Sequence, residues 1–281
     1  MSSLTIRRMS RADLDLGVDW AAAEGWNPGL HDADSFFAAD PGGFLIGLLD
    51  GEPIGMISAV KYGQDFGFIG FYIVLPAWRG QGHGLALWQT ALQSLAGRRI
   101  GLDGVVAQQD NYRRSGFVLA WRNVRCEGVP VRASTPDAAV VPLAQRPFDE
   151  VRAYDAAFFP EDRAQFLRAW IAQRGSTALG ILDQGRLAGY GIVRPCRVGF
   201  KVGPLFADGA ERADRLLRAL VASLPDGARV QLDIPALNPA AASLAAAHGL
   251  APVFETARMY RGAAPAVALD RLYGVTSFEL G

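Results

Sequence analysis

The stretch 66–95, FGFIGFYIVLPAWRGQGHGLALWQTALQSL, decides how this chain folds. Its first part, FGFIGFYIVLP, is rich in aromatic and β-branched residues and predicts a buried strand that ends at Pro76. Its last part predicts a helix, because apolar residues recur there at helical spacing: Leu85, Trp88, Leu92 and Leu95. The stretch therefore predicts a strand, a short glycine turn and a helix.

The glycine turn, 79–84 (RGQGHG), has the properties of a phosphate site. A helix start leaves several backbone N–H groups unpaired and carries the positive end of the helix dipole. Glycines let a phosphate approach that backbone without obstruction by a Cβ atom, and Arg79 adds a positive charge. We expect the whole turn to contact a phosphorylated ligand through Arg79, Gly80, Gln81, Gly82, His83 and Gly84.

Two common phosphate motifs do not fit this turn. The dinucleotide pattern G-x-G-x-x-G is not met, and the G-K-[ST] ending of nucleotide-hydrolase loops is missing because Leu85 follows Gly84. The turn instead resembles the acetyl-CoA pyrophosphate loop of the GNAT superfamily of N-acetyltransferases, [QR]-x-x-G-x-[GA], with Arg79, Gly82 and Gly84 at the specified positions. The preceding family pattern V-x-P-x-[WY]-R is matched by residues 74–79.

The resemblance implies that acetyl-CoA is the cosubstrate. Family members polarise the thioester carbonyl with a backbone N–H of the central strand, and alignment of V-x-P places that donor at Ile73 and Val74. His83, inside the turn, is expected to pack beside Coenzyme A rather than to act as a base.

A second motif follows the predicted helix. Residues 111–117, NYRRSGF, resemble the family pattern Y-x-x-x-G-F, with Tyr112 four residues before Gly116. The resemblance implies that the Tyr112 hydroxyl protonates the leaving thiolate, a step that a positioned acid makes easier. The alternative is that Tyr112 only packs. Many members have an asparagine where this chain has Val105, so we expect an unusual loop around Coenzyme A there.

The order of predicted elements indicates the fold. Residues 3–128 read as β-α-α-β-β-β-α-β-α-β, the order of a GNAT domain, and the same order returns between residues 139 and 260. The resemblance implies an α/β (α+β) protein of two tandem GNAT-like domains, each a mixed, mostly antiparallel sheet flanked by helices. The expected boundaries are a catalytic domain over 1–128, a linker over 129–137 and a degenerate domain over 138–281.

The second half lacks most of the motif residues. Asn238 keeps the family spacing to Gly249, but Ala245 stands at the tyrosine position. The loop 203–209 lacks the glycine pattern, and Asp208 would repel a pyrophosphate. We therefore expect one working site, in the first half, with a second half that stabilises it and shapes its acceptor pocket.

Acceptor residues are predicted in the segment that joins the first two helices, which lines the acceptor pocket in the family. Asn27 could hydrogen-bond an acceptor, and Asp32 could attract a cationic amine. The competing interpretation makes Asn27 a turn residue before Pro28 and Asp32 a helix cap. The tail 271–279 could reach the cleft, although a packed terminal strand is favoured there.

Composition excludes several classes of function. Lys plus Arg equals Asp plus Glu at 28 each, and no basic stripe is present, so we expect no nucleic-acid partner. Three histidines and two isolated cysteines show no metal-ligand spacing, so no metal is expected. The absence of a disulfide framework, a signal peptide and any apolar run of about 18 residues predicts a cytoplasmic protein without a membrane partner.

Together these features predict an acetyl-CoA-dependent N-acetyltransferase that acts on a primary amine of a small molecule by direct attack. Two alternatives stay open at this point. One is a non-catalytic acetyl-CoA-binding regulatory module, which an intact Tyr112 argues against. The other is an acyltransferase for a longer acyl group, a hydroxyl or a protein acceptor. The sequence carries no signal for the acceptor's identity, the general base or the oligomeric state.

Overall fold

The computed structural model describes residues 3–132 and 137–281, so part of the predicted linker lies outside the described residues. The first half contains β1 (Leu4–Arg8), α1 (Arg11–Ala23), α2 (Asp32–Ala39), β2 (Phe44–Leu49), β3 (Glu52–Tyr62), β4 (Phe66–Val74), α3 (His83–Ser94), β5 (Arg99–Val105), α4 (Gln109–Arg114) and β6 (Val118–Gly128). The second half contains β7 (Val140–Pro142), α5 (Phe148–Asp155), α6 (Ala164–Ile171), β8 (Thr177–Asp183), β9 (Arg186–Pro195), β10 (Phe200–Ala207), α7 (Ala210–Ala222), β11 (Val230–Pro235), α8 (Pro239–Ala247), β12 (Ala251–Arg261) and β13 (Leu272–Gly274).

The strands of both halves form one continuous sheet. Its order is β1-β2-β3-β4-β5-β12-β6-β11-β10-β9-β8-β7, and β13 pairs with β10 beside this path. Only the pairs β4–β5 and β10–β11 are parallel among the described strands, and the others are antiparallel. The predicted class, a mixed and mostly antiparallel sheet flanked by helices, is confirmed.

Strands β6 and β12 are exchanged between the two halves. Strand β12 is inserted between β5 and β6 and pairs with both, with Thr256 opposite Val105 and Asn123. Strand β6 pairs in turn with β11 from Gly128–Val230 to Asn123–Pro235. Because these contacts are backbone ladders, the halves are joined by the same hydrogen bonds that build each sheet. Side chains of β12 therefore reach the first half.

Local sequence signals account for several helix starts. Ser10 caps α1: its hydroxyl accepts from the Asp13 N–H, and the Asp13 carboxylate accepts from the Ser10 N–H at 2.7 Å. Asn238 caps α8 in the same way, accepting from two N–H groups of the first turn. Side-chain caps of this kind contribute about 1 kcal/mol each.

An aromatic seam joins the two halves on one face of the sheet. Phe36 of α2 stacks on Trp170 of α6 with 5.7 Å between ring centroids, and its edge meets Phe71 of β4 at 5.5 Å. All three side chains are buried in a core cluster that draws residues from both halves. Each buried ring contributes on the order of 2–3 kcal/mol of transfer free energy, so the seam fixes α2 against the second half.

The sheet opens at the middle of β4. Met56 of β3 lies opposite Ile73, and Ser58 lies opposite Gly70. Between these two pairs β3 has one residue and β4 has two, so β4 forms a bulge. Phe71, inside the bulge, has a φ of 46°, which a phenylalanine adopts only when its surroundings impose it. On its other edge, β4 pairs with β5 only from residue 66 to residue 69. Beyond that point the two strands separate, and a cavity begins.

Candidate active site

The cavity between β4 and β5 has a volume of about 560 Å³. Its walls come from the second part of β4, the glycine turn and the start of α3 on one side, and from β5 and α4 on the other. The remaining lining comes from β12 and the C-terminal tail, together with Glu24 and Trp26 after α1 and Arg125 of β6. A space of this size holds a ligand of small-molecule dimensions.

The glycine turn presents an uncapped helix start to this cavity. Gly80 and Gly82 have φ values of 76° and 87°, conformations that glycine adopts without strain. A Cβ atom at either position would meet nothing within 4 Å, so the space in front of the turn is open. Gly82 is the N-cap of α3, and no side chain caps the first turn. These features fit a phosphate group.

Arg79 is anchored beside the turn. Its Nε donates to the Val74 carbonyl at 2.7 Å, and its Nη2 donates to the Glu24 carboxylate. The guanidinium is half exposed and lines the cavity, so its position at the cavity mouth is fixed from two sides. Glu24, the residue that follows α1, is thus the ion-pair partner of Arg79.

Two of the eight predicted cofactor residues do not line the cavity. Gln81 turns back and donates to the Ala77 carbonyl at 2.9 Å, and His83 packs edge-on against Trp78. The other six do line it: Ile73, Val74, Arg79, Gly80, Gly82 and Gly84.

Tyr112 lies on the opposite wall. The side chain is only 8% exposed, and its ring packs 5.4 Å from the Trp88 ring. Among the described residues the hydroxyl has no hydrogen-bond partner, although the residue lines the cavity. Burial, and secondarily the neighbouring Tyr72, raise the pKa of the Tyr112 phenol above its ordinary value of 10.0. The group therefore stays protonated at neutral pH and is able to donate.

Tyr72 is a cavity residue that the sequence did not single out for chemistry. Its ring lies 5.6 Å from Trp88, and burial raises the pKa of its hydroxyl. A Cβ atom at Gly84 would lie 2.7 Å from that hydroxyl, so glycine at 84 makes room for Tyr72 as well as for a phosphate.

The second half supplies a wall of the cavity. Phe254 and Thr256 come from β12, and Phe278 and Glu279 come from the tail that follows β13. The tail was favoured as a packed strand, and only its first part is one; residues 275–281 are buried without being a strand. The sequence could not place these residues, because their position follows from the exchange of strands between the halves.

Asn27 and Asp32, predicted to bind the acceptor, do not line the cavity. The Asn27 amide bonds to Val198 and Gln231 of the second half, with Nδ2 to the Val198 carbonyl at 2.9 Å and to Gln231 Oε1 at 3.0 Å. Asp32 is fully buried and accepts from Arg194 Nε at 2.8 Å. The correction has a physical reason: both groups have their hydrogen bonds satisfied by partners at the contact between the halves.

Asp32 and Arg194 form one of several buried ion pairs in the chain, and two others have a member that lines the cavity. Arg125 donates to both carboxylate oxygens of Asp233 at 2.7 and 2.8 Å, and Arg258 binds Asp103 in the same bidentate manner. The second pair joins β12 to β5 across the halves. Removal of one partner from such a pair leaves an uncompensated charge, which costs several kcal/mol.

Comparisons with known proteins agree with this geometry. A model described as "Acetyltransferase (GNAT) family" matches residues 12–117, and one described as "Acetyltransferase (GNAT) domain" matches residues 151–274. The chain is 32% identical over 263 residues to holothin acyltransferase from Pseudoalteromonas sp. (strain SANK 73390), covering 94% of this chain and 90% of that protein. This chain belongs to the GNAT family of acyltransferases and carries two GNAT domains.

Two solved structures share the whole architecture. A protein from Pyrococcus horikoshii superposes with a TM-score of 0.84 at 26% identity, covering 99% of this chain and 96% of that one. A tandem GNAT protein from the clavulanic acid biosynthesis pathway has a TM-score of 0.63 at 15% identity, covering 94% and 100%, which shows the shared fold. The resemblance inferred from the glycine turn, and the duplication inferred from the element order, are confirmed.

Two further findings concern the described residues only. No helix within residues 3–132 and 137–281 is both long enough and apolar enough to cross a bilayer. In the same ranges, no group of three or more His, Cys, Asp and Glu side chains is arranged to hold a metal ion.

Proposed function

We propose that this acyltransferase moves an acetyl group from acetyl-CoA to a primary amine of a small molecule, in the cavity of the first half. One observation carries the proposal. A single cavity brings together an uncapped glycine turn, a strand edge freed by a bulge, and a buried tyrosine whose hydroxyl has no partner among the described residues. These three features are what acyl transfer from a Coenzyme A thioester requires.

The pyrophosphate of Coenzyme A would bind at the glycine turn. The backbone at Gly80 and Gly82 and the start of α3 supply N–H donors, and Arg79 supplies a charge held at the cavity mouth. The second half offers a poorer site, since Asp208 accepts from Arg271 and Tyr154 where the first half has open glycines. This contrast supports one working site for each chain.

The reaction follows from the arrangement of groups around the freed edge of β4. The amine nitrogen attacks the thioester carbon, a C–N bond forms, and negative charge develops on the carbonyl oxygen. A backbone N–H near Ile73 and Val74 stabilises that oxygen; loss of one such donor typically lowers kcat about 10²–10³-fold. The C–S bond then breaks, and the Tyr112 hydroxyl donates its proton to the sulfur.

The acceptor is a small molecule in this proposal. The cavity is bounded on one side by β12 and the tail, and its volume of about 560 Å³ suits a small molecule. The relative named holothin acyltransferase, similar over nearly the whole chain, supports a small-molecule acceptor.

A longer acyl donor is the second candidate, because the relative's name specifies acyl rather than acetyl transfer. The aromatic rings of Tyr72, Trp88 and Tyr112 pack together behind the expected acyl end and favour a short chain. Turnover of acetyl-, propionyl- and hexanoyl-CoA separates the two. We expect hexanoyl-CoA to react at least tenfold more slowly than acetyl-CoA. Faster turnover of hexanoyl-CoA would instead make a longer acyl-CoA the donor.

The test of the proposed function is release of the free thiol from acetyl-CoA in the presence of a panel of primary amines. Tyr112→Phe removes the proposed acid, and Tyr273→Phe is the matched control because Tyr273 is a buried tyrosine that does not line the cavity. We expect kcat to fall about 10²–10⁴-fold for Tyr112→Phe and to change little for the control. Unaltered turnover in Tyr112→Phe, or Coenzyme A binding without turnover of any amine, would favour a regulatory module instead.

A further inference from the structure

The carboxylates that line the cavity differ in whether they already have a partner. Glu24 is bound to Arg79, and Asp103 is bound to Arg258 and to Asn123. The third, Glu279, is 4% exposed and has no hydrogen-bond or ion-pair partner among the described residues. A carboxylate in a largely buried side chain with no protein donor needs a donor from the cavity, either from solvent or from a bound ligand.

A second polar group of the cavity is in the same condition. The Thr256 hydroxyl is buried and has no hydrogen-bond partner in the described chain, and Thr256 lines the cavity. Both groups come from the second half, Thr256 from the exchanged strand β12 and Glu279 from the tail. The Glu279 backbone packs directly on Gly70 of β4, at the start of the bulge.

The surrounding wall is aromatic. Trp26, Phe71, Phe254 and Phe278 line the cavity together with these two polar groups. Arg125, which also lines it, has its charge engaged by Asp233 and stacks over the Phe254 and Phe278 rings at 5.8 and 5.1 Å. The wall therefore offers apolar surface and the Glu279 carboxylate, and the Thr256 hydroxyl is buried at this wall without a partner in the described chain.

We propose that Glu279 and Thr256 form the acceptor subsite, in which Glu279 binds the attacking amine and takes its proton. This inference rests on the proposed function. As the C–N bond forms and the C–S bond breaks, an N–H proton passes to the Glu279 carboxylate while Tyr112 gives a proton to the sulfur. Glu279 then returns its proton through solvent to Tyr112, so the products are an amide and free Coenzyme A.

The subsite selects a class of acceptor. A compact aromatic or heteroaromatic amine fills the apolar wall and places its nitrogen on Glu279. An acceptor with a carboxylate or phosphate of its own is rejected, because Glu279 repels it and Arg125 has no free charge to offer.

A structural role for Glu279 predicts different behaviour. The side chain is close enough to Arg125, Arg194 and Lys201 to influence the titration of each, so it could serve only to balance buried positive charge. In that case Glu279→Gln lowers the midpoint of thermal unfolding and affects every acceptor equally. As an amine-binding group, it changes the preference among acceptors.

The experiment uses benzylamine and 4-(aminomethyl)benzoate, which share one body and differ by a carboxylate. We expect the wild type to favour benzylamine in kcat/KM by tenfold or more. Glu279→Gln should lower kcat/KM for benzylamine by tenfold to a hundredfold and reduce the preference for benzylamine over 4-(aminomethyl)benzoate. The KM for acetyl-CoA should stay unchanged in this variant. Glu279→Asp, which keeps the carboxylate, should retain part of the activity. Thr256→Val, which keeps the side-chain shape, should raise the KM for the amine severalfold. Glu255→Gln, an exposed neighbour paired with Arg122, is the control and should change nothing.

Binding of benzylamine to the Coenzyme A-saturated protein, measured by calorimetry, separates this inference from the proposed function. Glu279-dependent binding without any acetyl transfer would refute the proposed function and leave the subsite standing. Turnover of benzylamine at the wild-type rate by Glu279→Gln would overturn the subsite and leave the proposed function standing. Wild-type protein that neither binds nor acetylates benzylamine, yet acetylates other amines, would overturn the aromatic acceptor class.

Discussion

Gly104 of β5 lies directly against the ring of Tyr112. A Cβ atom placed on Gly104 would lie 2.3 Å from Cε2 of the tyrosine, far inside van der Waals contact. The absence of a side chain at residue 104 therefore lets the ring pack between β5 and Trp88, with its hydroxyl at the cavity. In this way a residue without chemistry of its own sets the position of the proposed acid.

Gly104→Ala should displace Tyr112 and lower kcat tenfold or more, while the overpacking lowers the free energy of unfolding by about 1–3 kcal/mol. Steady-state kinetics and chemical denaturation measure the two effects. Gly47→Ala is the matched control, because a Cβ atom at Gly47 meets its neighbours at an ordinary 3.6 Å. Equal effects of the two substitutions on kcat would contradict the positioning role.

The pH dependence of kcat should show Tyr112 as an acid that stays protonated into the alkaline range. Burial raises its pKa above the ordinary value of 10.0, so the protonated, active form persists to higher pH than for an exposed tyrosine. Loss of kcat through ionisation of Tyr112 is therefore expected only above about pH 10. A fall in kcat centred below about pH 9 that is present in the wild type and absent in Tyr112→Phe would show that the Tyr112 phenol ionises below its expected range. That result would contradict a raised pKa for this tyrosine.

The buried pair of Asp32 and Arg194 should matter for stability rather than for acceptor binding. Asp32→Asn leaves the buried guanidinium, whose Nη1 already lacks a partner, without its counter-charge, so the free energy of unfolding should fall by about 3–5 kcal/mol. Asp34→Asn removes an exposed partner of Arg11 two residues along the same helix and should cost at most about 1 kcal/mol. A raised KM for the amine in Asp32→Asn, without loss of stability, would restore Asp32 as an acceptor residue.

Much of the fold could be predicted from sequence because its signals are local. Helical spacing, the capping residue Ser10 and the glycines at turns each act within a few residues, and the predicted helices and strands recur in the structure. The exchange of β6 and β12 could not be predicted in this way. Which strand lies beside β5 depends on how the two halves dock, and the order of elements along the chain is the same with or without exchange.

The same difference between local and long-range signals applies to the residues of the candidate site. Predicted site residues carried by contiguous motifs, such as Arg79, Gly82 and Tyr112, do line the cavity, because each motif holds its residues on one short stretch of chain. Glu279 was not singled out, although the tail that contains it was said to be able to reach the cleft, because it lies about two hundred residues from the glycine turn and reaches the cavity only through the fold. Asp32 was misplaced because a buried carboxylate paired with a distant arginine looks, in sequence, like an available one.

The most direct measurement is calorimetric titration of Coenzyme A into wild-type protein, Gly82→Ala and Gly209→Ala. Gly82 and Gly209 are the N-caps of α3 and α7, both have positive φ, and both face open space. An alanine strains both backbones, and it strains Gly209 more because φ 104° with ψ 161° is a conformation almost restricted to glycine, so Gly209→Ala is the more demanding control. We predict one Coenzyme A bound per chain, with affinity at least tenfold weaker in Gly82→Ala and unchanged in Gly209→Ala. Two molecules bound per chain, or binding lost in Gly209→Ala and kept in Gly82→Ala, would contradict a single site at the glycine turn of the first half.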